Sequence, residues 1–295
     1  MKKKIRVLIT GSKGFVGKSL KKYLKNKIEL KVICDDRSRF DLSKTFFLKT
    51  LLEKSKPNII IHLASRTVSG IKSIKEDKLQ FKNTFRPIKN LIKCIKPLKC
   101  LKKLIFIGTI EEYGKAKTPY KENIDAKPTS SYGKFKLKCF NFVKKNLTND
   151  NIKYIWLRPS LMFGPKDNKE RFLGSILYSA KEKKLTSINL DKQVRDYLFV
   201  EDFNRFIYSY LIRKELPKLN VLNVTNQNWF SLNQVMNMLS KISKNKIKKY
   251  LKIYNKKDNS KLINSGSLFK RYYPNFKFTD FRYALRKTLI SYKIK

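Results

Sequence analysis

Ile5-Arg6-Val7-Leu8-Ile9-Thr10-Gly11-Ser12-Lys13-Gly14-Phe15-Val16-Gly17 is the stretch that decides the fold. A mostly apolar, β-prone run passes directly into three glycines spaced G-x2-G-x2-G, and a periodic segment from Lys18 to Asn26 follows. The pattern predicts a buried strand, a tight turn and the first turn of a helix. In that geometry backbone N–H groups and the helix N-terminus face a phosphate. Gly11 allows the turn, Gly14 lets a pyrophosphate approach the backbone, and Gly17 lets helix and strand pack closely. A glycine-rich turn with a purely structural role has the same letters. A strand directly before the turn is the context that the phosphate-binding motif needs.

Working outward, residues 30–34 read as a second strand that ends at Asp35-Asp36, and Asp41-Leu42 follows a short loop. A helical segment covers about 43–54, and 59–64 is a third, fully buried strand. A long amphipathic segment runs over 74–95, residues 104–107 form a fourth strand, and a helix spans 131–146. Residues 152–157 make a fifth strand, stopped by Arg158-Pro159. Strands alternating with helices at this spacing predict an α/β fold, a doubly wound parallel sheet of the Rossmann kind. Residues 1–159 are expected to form the dinucleotide-binding domain. Residues 160–295, where the pattern breaks into shorter pieces, are expected to form a smaller mixed α/β substrate domain. About 220–226, with Val221-Leu222-Asn223-Val224, is expected to return to the sheet.

Composition narrows the class. With 295 residues and 41% hydrophobic content the chain can bury a sizeable core, but its apolar runs are too short to span a bilayer. Met1-Lys2-Lys3-Lys4 has the look of a signal-peptide n-region, yet the apolar run after it stops at Gly11, which argues against a secretory signal. Cys34, Cys94, Cys100 and Cys139 form no C-x2-C pair and read as reduced residues of a cytoplasmic protein. The single histidine, His62, argues against a histidine-based metal site, and no metal is expected. The net charge of +47 points formally to a polyanion partner. The lysines, however, are spread along the chain and outnumber arginine, which fits compositional drift under an AT-rich coding sequence. Nucleic-acid binding is therefore not expected. The densest basic stretch, 241–261, is a solvated face or a weak polyanion patch.

Tyr132-Gly133-Lys134-Phe135-Lys136 carries the chemistry. Tyr and Lys four apart lie on one helix face. A free phenol has a pKa near ~10, too high to trade protons easily at neutral pH. An ammonium held beside it stabilises the phenolate. Tyr132 can then serve as general acid or base on an alcohol or carbonyl oxygen, with Thr109 holding that oxygen. In a lysine-rich helix this pair alone is weak evidence.

The surrounding motifs give it weight. Gly11, Gly14 and Gly17 stand with Asp35 at the end of the second strand, Asp41-Leu42, and His62-Leu63-Ala64-Ser65 at the end of the third. Asn83 falls in the following helix, and Thr109-Ile110-Glu111-Glu112-Tyr113-Gly114 follows the fourth strand. Arg158-Pro159-Ser160-Leu161-Met162-Phe163-Gly164-Pro165, Arg195-Asp196-Tyr197-Leu198-Phe199-Val200-Glu201-Asp202 and Asn223-Val224 complete the series. In this order of motifs the chain resembles, over essentially its whole length, the extended short-chain dehydrogenase/reductase family. Within it, the chain is similar to the NAD-dependent epimerase/dehydratase group acting on nucleotide sugars.

The resemblance implies Thr109, Tyr132 and Lys136 as catalytic residues, with Lys136 also holding the nicotinamide ribose. It implies that Gly11, Lys13, Gly14, Phe15, Val16, Gly17, Asp35, Arg37, Asp41 and Leu42 contact the cofactor, as do Leu63, Ala64, Ser65, Asn83 and Pro159. Glu111 is expected at a substrate hydroxyl. Arg195 is expected on the nucleotide diphosphate, because a guanidinium fork suits phosphate oxygens; a surface salt bridge to Asp196 or Glu201 is the plainer alternative. His62 and Asp202 are expected to be structural. The 4,6-dehydratases of the family carry adjacent Asp-Glu after the Thr. Here those positions are Ile110 and Glu111, which argues against a dehydratase.

The implied activity is NAD(P)-dependent reduction of a 4-keto-6-deoxy sugar nucleotide, with C4 epimerisation on retained NAD as the alternative. A non-catalytic Rossmann protein docking on RNA or anionic lipid is a third reading. Asp35 favours NAD, since a carboxylate pairs with the ribose 2′-OH. Arg37 and Arg39 could hold a 2′-phosphate, and the short loop leans to NADP. Family members dimerise through helices that correspond here to 74–95 and 131–146, so a homodimer is expected.

Overall fold

Side chains alternate across a strand, so the unbroken apolar run Val7-Leu8-Ile9 must be covered on both faces, and all three residues are fully buried. In the computed structural model the described residues are 4–35, 41–65, 73–147, 152–189, 192–213, 219–254 and 260–294. They divide into two compact units. The first comprises Met1–Ala116, Glu122–Arg158 and Ile207–Leu222; the second comprises Lys117–Lys121, Pro159–Phe206 and Asn223–Lys295.

The first unit opens with β1 (Ile5–Thr10), α1 (Phe15–Lys25), β2 (Leu30–Cys34), α2 (Thr45–Ser55) and β3 (Ile59–His62). A helical segment follows, made of α3 (Ile74–Gln80), a π-helical turn (Phe81–Phe85) and α4 (Arg86–Ile95). Next come β4 (Lys103–Ile107), a 3-10 turn (Ile110–Glu112), α5 (Ser131–Leu147) and β5 (Lys153–Pro159). The predicted 74–95 helix is thus interrupted by one wide turn. Its cause is Pro87, at the start of α4. Proline lacks the N–H that would bond back four residues, and its ring crowds that carbonyl, so the ladder widens there.

Beyond β5 lie β6 (Leu161–Phe163), α6 (Phe172–Lys181), β7 (Thr186–Asn189), β8 (Val194–Phe199) and α7 (Val200–Ile212). They are followed by β9 (Val221–Val224), β10 (Asn228–Ser231), α8 (Leu232–Ile242), β11 (Leu251–Tyr254), β12 (Lys261–Leu262), α9 (Ser267–Tyr272) and α10 (Phe281–Ser291).

The central sheet has the order β2-β1-β3-β4-β5-β9. The first five strands pair in parallel. Trp156 N donates to Asn220 O at 2.9 Å and Ser160 N to Val224 O at 3.0 Å, which sets β9 parallel to β5. On one face Leu8, Ile60, Leu104, Phe106 and Trp156 pack against Leu48 and Leu52 of α2, Leu91 and Ile95 of α4, and Cys139 and Val143 of α5. On the other face Val7, Ile9, Ile61, Ile105 and Leu157 are equally buried, and α1 lies against β1 and β2 through this side of the chain. Each such side chain contributes roughly 1.5–3 kcal/mol by leaving water. The chain leaves β1 for β2 on one side and reaches β3 on the other. The order therefore reverses at the carboxyl end of β1, where open parallel sheets bind ligands.

In the second unit β8 pairs antiparallel with β10 and parallel with β6 and β12, while β7 pairs with β11. Its core joins Phe163, Tyr197 and Phe199 to Val235 and Leu239 of α8 and to Phe281 and Leu285 of α10. Beneath β8 the Asp196 Oδ2 accepts from the Ser160 hydroxyl (2.6 Å), the Thr225 hydroxyl (2.6 Å) and the Asn264 N–H (3.2 Å). Burial pushes this carboxyl up to about 7 against those three hydrogen bonds. Among the described residues no helix is long and apolar enough to cross a membrane.

Candidate active site

The turn after β1 is built by contacts only glycine permits. Gly11 has φ +74°, and a Cβ there would stand 2.6 Å from the Ala64 backbone nitrogen at the end of β3. Gly14 is the N-cap of α1, and no side chain caps that helix. Its first turn, with half-buried Phe15 and Val16 and buried Gly17, begins where Lys13 and Gly14 are exposed. An uncapped helix N-terminus at the switch point suits an anion.

Asp35 closes the turn from β2. Its Oδ2 accepts from the Gly11 N–H (2.9 Å), and its Oδ1 accepts from the Ser12 N–H (3.0 Å) and the Ser12 hydroxyl (2.8 Å). The residue is only 3% exposed. Its carboxylate is therefore turned inward, onto the turn itself. Arg37, with Asp36 and Arg39, lies outside the described residues. Asp41 is exposed and accepts from the Ser43 N–H at 2.9 Å. Leu42 is buried, and its carbonyl is held by Asn90 Nδ2 at 3.1 Å.

The end of β3 supplies His62, Leu63, Ala64 and Ser65. His62 Nδ1 shares a 2.8 Å hydrogen bond with the Thr10 hydroxyl, and its ring stands edge-on to Phe106. Burial, then the charge of Lys136, depress it to about 3, so it is neutral at any ordinary pH. Ser65 Oγ lies 3.4 Å from the hydroxyl of Thr84. Asn83, one residue earlier on the π-helical turn, is exposed.

β4 ends at Ile107 and delivers Thr109 to the N-cap of the 3-10 turn. The Thr109 hydroxyl accepts from the Glu111 N–H at 3.3 Å. The following turn is fastened to the start of α5. Ser130 Oγ donates to Glu111 Oε2 at 2.6 Å and accepts from the Gly133 N–H at 3.0 Å. That bridge sets the α5 N-terminus beside the Thr109 turn and so brings Tyr132 to it. Tyr132 is 8% and Lys136 3% exposed, one helical turn apart, and the ammonium lies 5.8 Å from the phenol ring centre. Lys136 Nζ donates to Ile107 O at 2.7 Å, which pins α5 to the end of β4. Burial lowers its pKa from 10.5, opposed by Cys139 and Glu112.

A strand-end threonine, a phenol and a buried ammonium can together polarise and protonate an oxygen. The model of the NAD dependent epimerase/dehydratase family matches residues 7–225. The chain belongs to this family. Among curated members it is 29% identical over 245 residues to GDP-6-deoxy-D-talose 4-dehydrogenase of Aggregatibacter actinomycetemcomitans, covering 81% of this chain and 80% of the relative. Among solved structures it is similar to UDP-glucose 4-epimerase of Thermotoga maritima with UDP-glucose (TM-score 0.84, 20% identity, 98% and 99% of the two chains). It is equally similar to RMD of Pseudomonas aeruginosa complexed with NADPH (TM-score 0.84, 19% identity, 98% of each chain). At these identities the solved structures bear on the fold.

Two residues expected at the site of this family member lie in the second unit. Pro159 ends β5 and is buried. Arg195 donates from Nη1 to Val194 O (3.1 Å) and Ser260 O (2.8 Å), and from Nη2 to Gln193 Oε1 (2.7 Å) and Ser260 Oγ (3.0 Å). Neither acid of the alternative is taken up by it in these bonds: Glu201 pairs with Lys287 at 2.7 Å, and Asp196 serves the node described above. Asp202 is buried and accepts from the Thr279 N–H (2.9 Å) and hydroxyl (2.6 Å). Sequence reasoning missed Ser12, Thr84 and Ser130, whose hydroxyls tie the site's segments together, and the partners of Glu112. Ser130 had a local signal: a serine just before a helix is a cap candidate.

Proposed function

We propose that the chain is an NADPH-dependent oxidoreductase acting at C4 of a nucleotide-activated 6-deoxy sugar, with reduction of the 4-keto form as its reaction. The observation that carries this reading is the convergence of Thr109, Tyr132 and Lys136 at the end of β4. Ile110 beside them stands in the place of the first acid that a 4,6-dehydratase would need. The relative named as a 4-dehydrogenase of GDP-6-deoxy-D-talose supports chemistry at that carbon.

The first unit fits a nicotinamide dinucleotide. The uncapped start of α1 and exposed Gly14 suit its pyrophosphate. The Asp35 carboxylate is taken up by the Gly11 and Ser12 donors of the turn, which supports NADPH over NAD. When bound, the dinucleotide supplies the hydride. The protein's own residues do the rest. Thr109 donates a hydrogen bond to the carbonyl oxygen, Tyr132 gives that oxygen its proton, and the Lys136 ammonium stabilises the phenolate left behind.

The test starts with protein purified at high salt and denatured, with released molecules identified by mass spectrometry. An empty protein that then oxidises NADPH with a 4-keto-6-deoxy sugar nucleotide is the expected result. Retained NAD with no net consumption would move the assignment to C4 epimerisation. Failure to bind either dinucleotide would overturn both.

A further inference from the structure

Glu112 is completely buried within the first unit. Its Oε1 accepts from the Thr109 N–H at 2.9 Å and the Trp156 Nε1–H at 3.0 Å. Its Oε2 accepts from the Arg158 Nε–H at 2.7 Å and from the same indole at 3.2 Å. Arg158 is itself 2% exposed and is stacked on Tyr113 and Phe140, 4.5 and 4.9 Å from the ring centres. Gly108 makes room for the carboxylate, since a Cβ there would stand 2.3 Å from Oε1. The end of β4, the 3-10 turn and β5 therefore all close on one carboxylate.

Burying an ion pair gains little over apolar packing, so stability is a weak reason for this one. Lys136 offers a better reason. Its ammonium is buried against a neutral carbonyl, which drives it toward the uncharged amine. Two neighbouring groups would oppose that drift in their negative forms. Cys139 is pushed up to about 12, chiefly by burial, and is a neutral thiol in the working range. Glu112, which meets the Arg158 guanidinium at 2.7 Å, is the neighbour that remains.

We propose that Glu112 is a positioning residue for the site: its carboxylate anchors the backbone of Thr109, and its charge keeps Lys136 an ammonium beside Tyr132. The proposal rests on the oxidoreductase reading, so its test has one arm that needs no substrate. Ionisation of Tyr132 is followed by near-ultraviolet difference titration of each protein against its Tyr132→Phe counterpart.

Removing a negative charge lowers the midpoint of a coupled pair whichever member holds the proton, and removing a positive one raises it. Glu112→Gln is expected to lower the midpoint by about one pH unit, and Arg158→Met to raise it by about as much. The double variant should return near the wild type. A residue that only holds the fold would not move the two single variants in opposite directions. In turnover, Glu112→Gln should lose about tenfold in kcat at pH 8 with KM unchanged, its alkaline limb displaced to lower pH.

Arg158→Met and the double variant carry the test if Glu112→Gln fails to fold. Midpoints that stay put, or that all move one way, overturn the inference while turnover by the wild type leaves the oxidoreductase reading intact. Opposite shifts in a protein that turns over no keto sugar would uphold the charge role and remove the reaction assigned to it.

Discussion

Lys136 and Ile107 are joined by a 2.7 Å hydrogen bond in which the side-chain ammonium donates to the backbone carbonyl. The bond ties the middle of a helix turn in α5 to the last residue of β4. It fixes the height of α5 against the sheet, and with it the place of Tyr132 relative to Thr109. A neutral acceptor does this at an electrostatic cost, because the lysine is 3% exposed.

That cost separates activity from stability. The pKa of Lys136 is lowered by burial, so between its folded value and 10.5 the unfolded chain binds more protons than the folded one. Stability contributed at this position is therefore lowest where the lysine is charged and rises with pH through that window. Lys136→Met is expected to lose most of its turnover yet melt about 2–5 °C higher at pH 7. Tyr132→Phe should lose about 10²–10⁴ in kcat with dinucleotide affinity unchanged. Calorimetry and fluorescence titration read both; wild-type kcat in Tyr132→Phe would remove the phenol from the mechanism.

Asp35 gives a test of how the cofactor is read. Its two oxygens serve Gly11 and Ser12, so Asp35→Asn sets an amide NH₂ against a backbone donor. The variant should lose about 1–3 kcal/mol of stability and weaken NADPH and NAD alike. Dinucleotide titrations decide the point. A gain of more than about tenfold for NADPH over NAD would instead mean that Asp35 reads the ribose 2′ position.

The same residue shows how far a sequence can be read. The place of Asp35 at the end of β2 is legible, because apolar runs bounded by glycine, proline and aspartate mark the parallel strands. What its oxygens do is not legible, since their donors lie 23 and 24 positions upstream. The Tyr132–Lys136 pair is visible because both members share one helix turn. The Glu112–Arg158 pair is not, because its members are 46 positions apart and meet only when β5 lies beside β4. In the second unit Val221–Val224 stands out as an apolar run, whereas β6 has three residues and β12 two, too short for any period to register.

The charge of +47 makes its own prediction. Lysines spread over the whole chain attract any polyanion by coulombic force alone, and such binding falls steeply with salt. RNA and heparin should both bind at 20 mM salt and both be lost at about 150 mM, without preference among RNA sequences. Electrophoretic mobility shifts across a salt series measure this. A complex with one RNA that survives physiological salt would restore the polyanion-docking reading.

Asp196 supplies a pH dependence with a definite sign. Its carboxyl is raised by burial from 3.8 to about 7, so between those values the folded chain binds more protons than the unfolded one. Its contribution to stability is therefore fully present below about pH 4, declines as pH rises, and is gone above about 7. Three donors already face Oδ2, while Oδ1 is buried without a protein partner and is the oxygen placed to carry the proton. Asp196→Asn keeps a carbonyl for the three donors and cannot ionise. Urea midpoints at pH 5 and pH 7.5 should therefore differ less in the variant than in the wild type, with the gain concentrated at the higher pH. Equal pH responses in the two proteins would mean that Asp196 stays ionised in the fold and that the three hydrogen bonds outweigh its burial.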